Sequence, residues 1–235
     1  MNKHYPNRID GTLRKSALRV PQVVYQCSGI LVFGRRIKSF AFTTDLAIVR
    51  NINTDAILAV YPFTPQPIIN QSLLMAADLP VFVGVGGGLT QGNRVIQLAA
   101  FAEMQGAAGV VVNAPTEPQV IHKITEIIDI PIVVTAVGWN ERVIDQIEAG
   151  ASIINVAGAE QTPQIVQCMR ECYPEMPIIA SGGKTEESIL KTITAGANAI
   201  SWTPPSNKEI FGSVMDDYRQ GKEHRDHFGY EGTNQ

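Results

Sequence analysis

PIVVTAVGWNERVIDQIEAGASIIN (residues 131–155) and PIIASGGKTEESILKTITAGANAIS (residues 177–201) align without a gap, at an offset of 46 residues. Pro131 matches Pro177, Glu141 matches Glu187, and Ala149-Gly150-Ala151 matches Ala195-Gly196-Ala197. A looser third copy opens at Pro80 with PVFVGVGGG and runs through Gly106-Ala107 into GVVVN. Each copy reads as strand, helix, strand. The strands are short β-branched runs without alternation, as expected of parallel strands covered on both faces. The helices carry apolar residues at helical spacing, such as Val143, Ile144 and Ile147, and each ends in a glycine suited to a left-handed cap.

Working outward from these copies, the chain contains eight strand-like runs, at about 39–44, 56–62, 80–85, 109–113, 131–136, 152–157, 177–181 and 198–203. Helical patterns separate them, and a last one lies near 207–219. Eight β/α pairs predict a single (β/α)₈ TIM barrel; an open doubly wound sheet is the other arrangement such units allow. Residues 1–37 form an N-terminal extension, helix or hairpin, packing on the barrel bottom. Residues 38–219 form the barrel, and the polar, Gly-rich 220–235 form a flexible tail.

Composition limits the function classes. A formal charge of −3 and 45% hydrophobic residues describe a globular chain with no electrostatic reason to bind nucleic acid. Three cysteines, Cys27, Cys168 and Cys172, suit a reducing compartment, and no apolar run approaches a membrane span, so the expectation is a cytoplasmic protein without a membrane partner. A homo-oligomer is compatible with this sequence. Cys168 and Cys172 share a helical stripe with Ile165 and Met169 and read as core packing. The four histidines lie in the tails or, for His122, on a helix surface, so no metal site or triad is expected.

In a barrel of this kind the site lies where the βα loops converge. Phe40 and Phe42 are large and suit the layer facing the helices, leaving Ser39, Ala41, Thr43 and Asp45 to point inward. Asp45 is then the candidate general base, unless it caps the next helix. Asn113, Asn155 and Thr43 would orient a substrate; Thr135, Ser201 and Thr203 would line the ligand. Glu160 is a further acid/base candidate.

Ser181-Gly182-Gly183-Lys184 is the strongest local signal: glycines let a phosphate reach backbone N–H groups at the start of a helix, although they also suit a tight turn. Gly86, Gly87 and Gly88 form a second glycine loop that would admit a ligand ring or permit a bend. The loop after the last strand, Thr203-Pro204-Pro205-Ser206, has no glycine, and two of its positions lack an N–H donor.

On these residues, the SGG-helix-AGA segment resembles the phosphate-binding (β/α)₈ superfamily of sugar-phosphate epimerases, keto-deoxy-phosphogluconate-type aldolases and flavin-mononucleotide barrels. GILVFGRRIKSFAFTTD is similar to the beginning of flavin-dependent barrels, which would imply FMN. ASGGKTEESILKTITAGANAISWTPPSNKEIF resembles the end of glycerol-3-phosphate-responsive antiterminators, which would imply a non-catalytic sensor. The expectation that joins them is an enzyme binding a small phosphorylated metabolite and performing isomerase or lyase chemistry by proton transfer, with no cofactor firmly implied and FMN the one the resemblance allows.

Overall fold

A computed structural model describes residues 18–222 together with His4 and Pro6. Two short antiparallel strands, β1 (Ile30–Val32) and β2 (Arg35–Ile37), form a hairpin. Eight parallel strands then close a barrel: β3 (Ser39–Phe42), β4 (Ala56–Ala59), β5 (Val81–Gly86), β6 (Gly109–Val112), β7 (Ile132–Ala136), β8 (Ile153–Val156), β9 (Ile178–Ser181) and β10 (Ala199–Trp202). The helices between and after them are α1 (Leu46–Arg50), α2 (Pro67–Ala76), α3 (Asn93–Met104), α4 (Pro118–Thr125), α5 (Glu141–Glu148), α6 (Thr162–Cys172), α7 (Glu186–Thr194) and α8 (Asn207–Arg219). β10 pairs with β3, so the cylinder has no free edge. Among the described residues, no helix is long and apolar enough to cross a membrane.

The repeat has a physical basis at both ends of its unit. Pro80, Pro131 and Pro177 stand just before a strand, where the missing N–H costs nothing, and each carbonyl accepts a hydrogen bond from the neighbouring strand. Gly150 and Gly196 end α5 and α7 at φ +112° and +113°, a backbone region that other residues rarely adopt.

The first strand corrects the inward-outward expectation. Phe40 packs in the barrel interior with Leu58, Phe82, Val111 and Val133, whereas Ala41 belongs to the layer beneath the helices. Small neighbours make room for the ring: Ala56 stands beside it in the register, Ala199 shares its cluster, and Gly109 leaves space for Phe82, which meets Phe40 edge-on at 5.2 Å. Thr43 and Asp45 therefore follow the outward parity.

Ile30, Val32 and Ile37 of the hairpin belong to the same interior cluster, so the hairpin stoppers the bottom. Ahead of it a 3₁₀ turn, Gln22–Gln26, buries Val23 and Val24 with the outer core. The tail beyond residue 222 lies outside the described residues. Cys168 and Cys172 depart from the core-packing expectation: they flank the buried stripe of Ile165, Val166 and Met169, Cys168 half-buried and Cys172 exposed.

Candidate functional site

The top of the barrel opens into a cavity of about 900 Å³. Its floor is a ring of small neutral polar side chains, one from each of five neighbouring strands or their ends: Asn113, Thr135, Asn155, Ser181 and Ser201. The register brings them together, since Thr135 is level with Asn155 and Ser181 with Ser201. Phe42 and Val60 complete the circle as an apolar wall.

Asn155 is only 6% exposed, and its Oδ1 has no hydrogen-bond partner among the described residues. Its Nδ2 donates to Thr135 Oγ1 across a long 3.4 Å. A buried amide oxygen without a donor costs about 1–3 kcal/mol. Asn113 is held from behind. Its amide donates to Gly86 O, and its carbonyl accepts from Thr116 N and Oγ1. Gln146 in turn anchors that loop through Ala114 O and Thr116 O.

Gly183, Lys184 and Glu186 reach the cavity at its rim. Gly182 does not, and the roles of the two glycines differ. A Cβ on Gly182 would lie 2.8 Å from both Ile189 Cγ1 and Ile200 Cγ2, so this glycine lets α7 pack against the sheet. Its own N–H donates to Ser201 O at 3.4 Å, which leaves it out of any anion cradle. Gly183 sits at φ +77°, with Ser188 Oγ 2.5 Å from where a Cβ would stand. Ser188 and Thr185 cap α7 reciprocally. The amides of Gly183 and Lys184 have no partner among the described residues and remain open to an anion.

The opposite half of the cradle is closed by the protein itself. Ser206 N donates to Glu209 Oε2 at 2.7 Å, and Ser206 Oγ donates to the same oxygen at 2.7 Å. These bonds hold the Glu209 carboxyl below its ordinary range and keep it ionised. Pro204 and Pro205 contribute no donor. The S-x-x-E spacing of Ser206 to Glu209 is a capping signal legible in the sequence.

Asp45 and Thr43 do not line the cavity, which corrects the general-base expectation. Asp45 Oδ1 accepts from Ala47 N and Ile48 N as the cap of α1, and Oδ2 accepts from Asn207 Nδ2. Thr43 Oγ1 accepts from Asp45 N. Glu160 is exposed in a 3₁₀ turn away from the floor. The acidic and basic residues that do line the cavity are Lys184, Glu186 and Glu209, all at the rim. Trp202, Thr203, Pro204 and Pro205 border it there.

No protein-family profile and no curated protein matches the sequence. Solved structures with the same fold include a protein assigned as a phosphonomutase from Burkholderia cenocepacia J2315, at 15% identity and a TM-score of 0.61, covering 78% of this chain and 92% of that one. A phosphonopyruvate hydrolase in complex with oxalate and Mg²⁺ has 12% identity and a TM-score of 0.61, with 80% and 84% covered. A mandelate oxidase has 14% identity and a TM-score of 0.61, with 75% and 68% covered. At these identities the likeness shows the fold: the chain is a (β/α)₈ barrel.

Proposed function

We propose that the chain is a barrel enzyme acting on a small phosphorylated metabolite bound in its mouth. The phosphate lies against the Gly183 and Lys184 amides with the Lys184 ammonium beside it, and the body of the ligand rests on Asn113, Thr135, Asn155, Ser181 and Ser201. The observation that carries this reading is the unpartnered, buried Oδ1 of Asn155 on the floor of the same cavity that the open amides border. A sugar hydroxyl is the kind of donor it lacks. The reaction class is isomerase or lyase chemistry by proton transfer, and Glu186 and Lys184 are the rim groups able to exchange a proton with a bound ligand.

Thermal-shift and calorimetric titration with inorganic phosphate, glycerol phosphate and pentose and hexose phosphates tests the binding. A ligand at a hundred times its Kd stabilises by about 2.7 kcal/mol. Asn155→Leu abolishes the shift for sugar phosphates. If no phosphorylated probe binds the parent chain, the reading fails.

A second reading, a non-catalytic sensor of the same ligand, is favoured by the floor itself, whose side chains are all neutral. Glu186→Gln separates the two: an enzyme loses turnover and keeps binding, whereas a sensor binds tightly and turns nothing over in either form.

The implied cofactors fit less well. The open amides suit one end of FMN, but the floor offers the flavin ring neutral amides and hydroxyls and no cation to tune it. For a divalent metal such as Mg²⁺, which prefers carboxylate oxygens, no group of three His, Cys, Asp or Glu side chains comes together among the described residues.

A further inference from the structure

A second hollow of about 280 Å³ lies beside the main cavity, between the loops that follow β4 and β5, and the two share Val60 and Asn113. Its walls are different in kind. Tyr61, Pro62, Phe63 and Pro65 form one side and Leu89 and Thr90 the other, and no acidic or basic side chain lines it. Phe63 and Leu89 remain 71% and 86% exposed. Thr90, by contrast, is 5% exposed, and its Oγ1 has no partner among the described residues. Tyr61 OH accepts from Gln66 N at 2.8 Å and keeps its own proton to donate.

The three glycines of the loop after β5 divide by cause. Gly86 and Gly87 have φ of +141° and +93°, and a Cβ on them would run into Val95 and Thr116 respectively. The backbone demands glycine at both. Gly88 has neither constraint, since a Cβ there would meet only Asn113 Nδ2, at 3.6 Å. The side chain missing at Gly88 is one the fold could accommodate, and its absence leaves the hollow open toward Asn113.

We propose that this hollow seats an uncharged aryl group carrying one hydrogen-bonding oxygen, at the far end of the ligand whose phosphate lies at the start of α7. The aromatic and proline walls cover the ring, and Thr90 and Tyr61 meet its oxygen. Asn113, shared by both lobes, stands at the junction. The inference rests on the phosphate reading of the main cavity for the other end of the ligand.

Calorimetry with propyl phosphate and hydroxyphenylpropyl phosphate tests it. The aryl ester binds about tenfold more tightly or better, the gain expected for burying one ring. Gly88→Leu fills the hollow and cancels that gain while propyl phosphate binding is unchanged. Thr90→Val, which exchanges the hydroxyl for a methyl group, lowers the preference of the hydroxyaryl ester over propyl phosphate. Equal affinity of the two esters for the parent chain overturns the proposal and leaves the phosphate reading standing. So does an aryl gain that survives both substitutions. Should Gly88→Leu fail to fold, the Thr90→Val result decides. If propyl phosphate does not bind but hydroxyphenylpropanol binds and loses affinity in Gly88→Leu, the hollow stands and the phosphate reading falls. If neither binds, both fall.

Discussion

At the bottom of the barrel the Arg170 guanidinium donates to four backbone carbonyls, those of Tyr173, Pro174, Met176 and Gly196, and to Asn198 Oδ1. At the mouth, the amide oxygen of Asn155 accepts nothing from the described residues. The contrast extends to their neighbours. Asp55 Oδ2 at the bottom gathers Lys38 N, Ser39 N and Ser39 Oγ, whereas Thr90 Oγ1 at the mouth is alone. Arg170 and Asp55 join strand starts to each other, whereas Asn155 Oδ1 and Thr90 Oγ1 are left unjoined, as Thr54 Oγ1 is at the start of β4. Under the proposed function, a bound ligand supplies the partner that Asn155 lacks.

Substitutions at the two ends should therefore separate stability from binding. Arg170→Ala strands several backbone carbonyls and lowers stability by about 3 kcal/mol, a fall in Tm on the order of 10 °C. Ligand affinity of the folded fraction is unchanged; chemical denaturation paired with calorimetry measures both. Asp55→Ala removes three accepted bonds and costs about 2 kcal/mol with the same lack of effect on affinity. Asn155→Leu reverses the pattern: binding is lost, while stability moves by less than about 1 kcal/mol in either direction, because no bond to Asn155 Oδ1 is broken. A loss as large as that of Arg170→Ala would erase the distinction between the ends.

The smallest effect concerns pH. Glu209 has a folded-state pKa below its ordinary value of 4.5, so its contribution is present above that value and lost as pH falls through the lower, folded one. Acidification below that lowered pKa releases the Ser206 amide and loosens the start of α8, detectable as faster amide exchange there. Glu209→Gln removes this dependence.

The barrel was legible because its unit is repeated: Pro131 and Pro177 open strands, Gly150 and Gly196 close helices, and a 46-residue offset carries one copy onto the next. The small polar floor residues were legible for the same reason, as Asn155 and Ser201 hold equivalent places in the copies. What failed was local. By size alone Phe40 suits the helix-facing layer, but its fit inside depends on Ala56, Ala199 and Gly109, which are distant in sequence. Asp45 was drawn inward by that same parity, although a carboxylate just before a helix has a nearer use in capping it. Thr116 and Gln146, which hold Asn113 in place, carry no sequence signal, since their importance arises from bonds to backbone atoms about 30 residues away or beside a turn.

The hairpin stopper has a consequence for how the chain is made. Ile30, Val32 and Ile37 leave the ribosome long before the strands that will cover them. The seam that completes their enclosure includes a bond from Asn198 to Ser28, 170 residues apart. Until β10 is synthesised, the growing chain exposes apolar surface that no earlier segment can fully shield. A nascent chain stalled before residue 199 is therefore the form most in need of a chaperone.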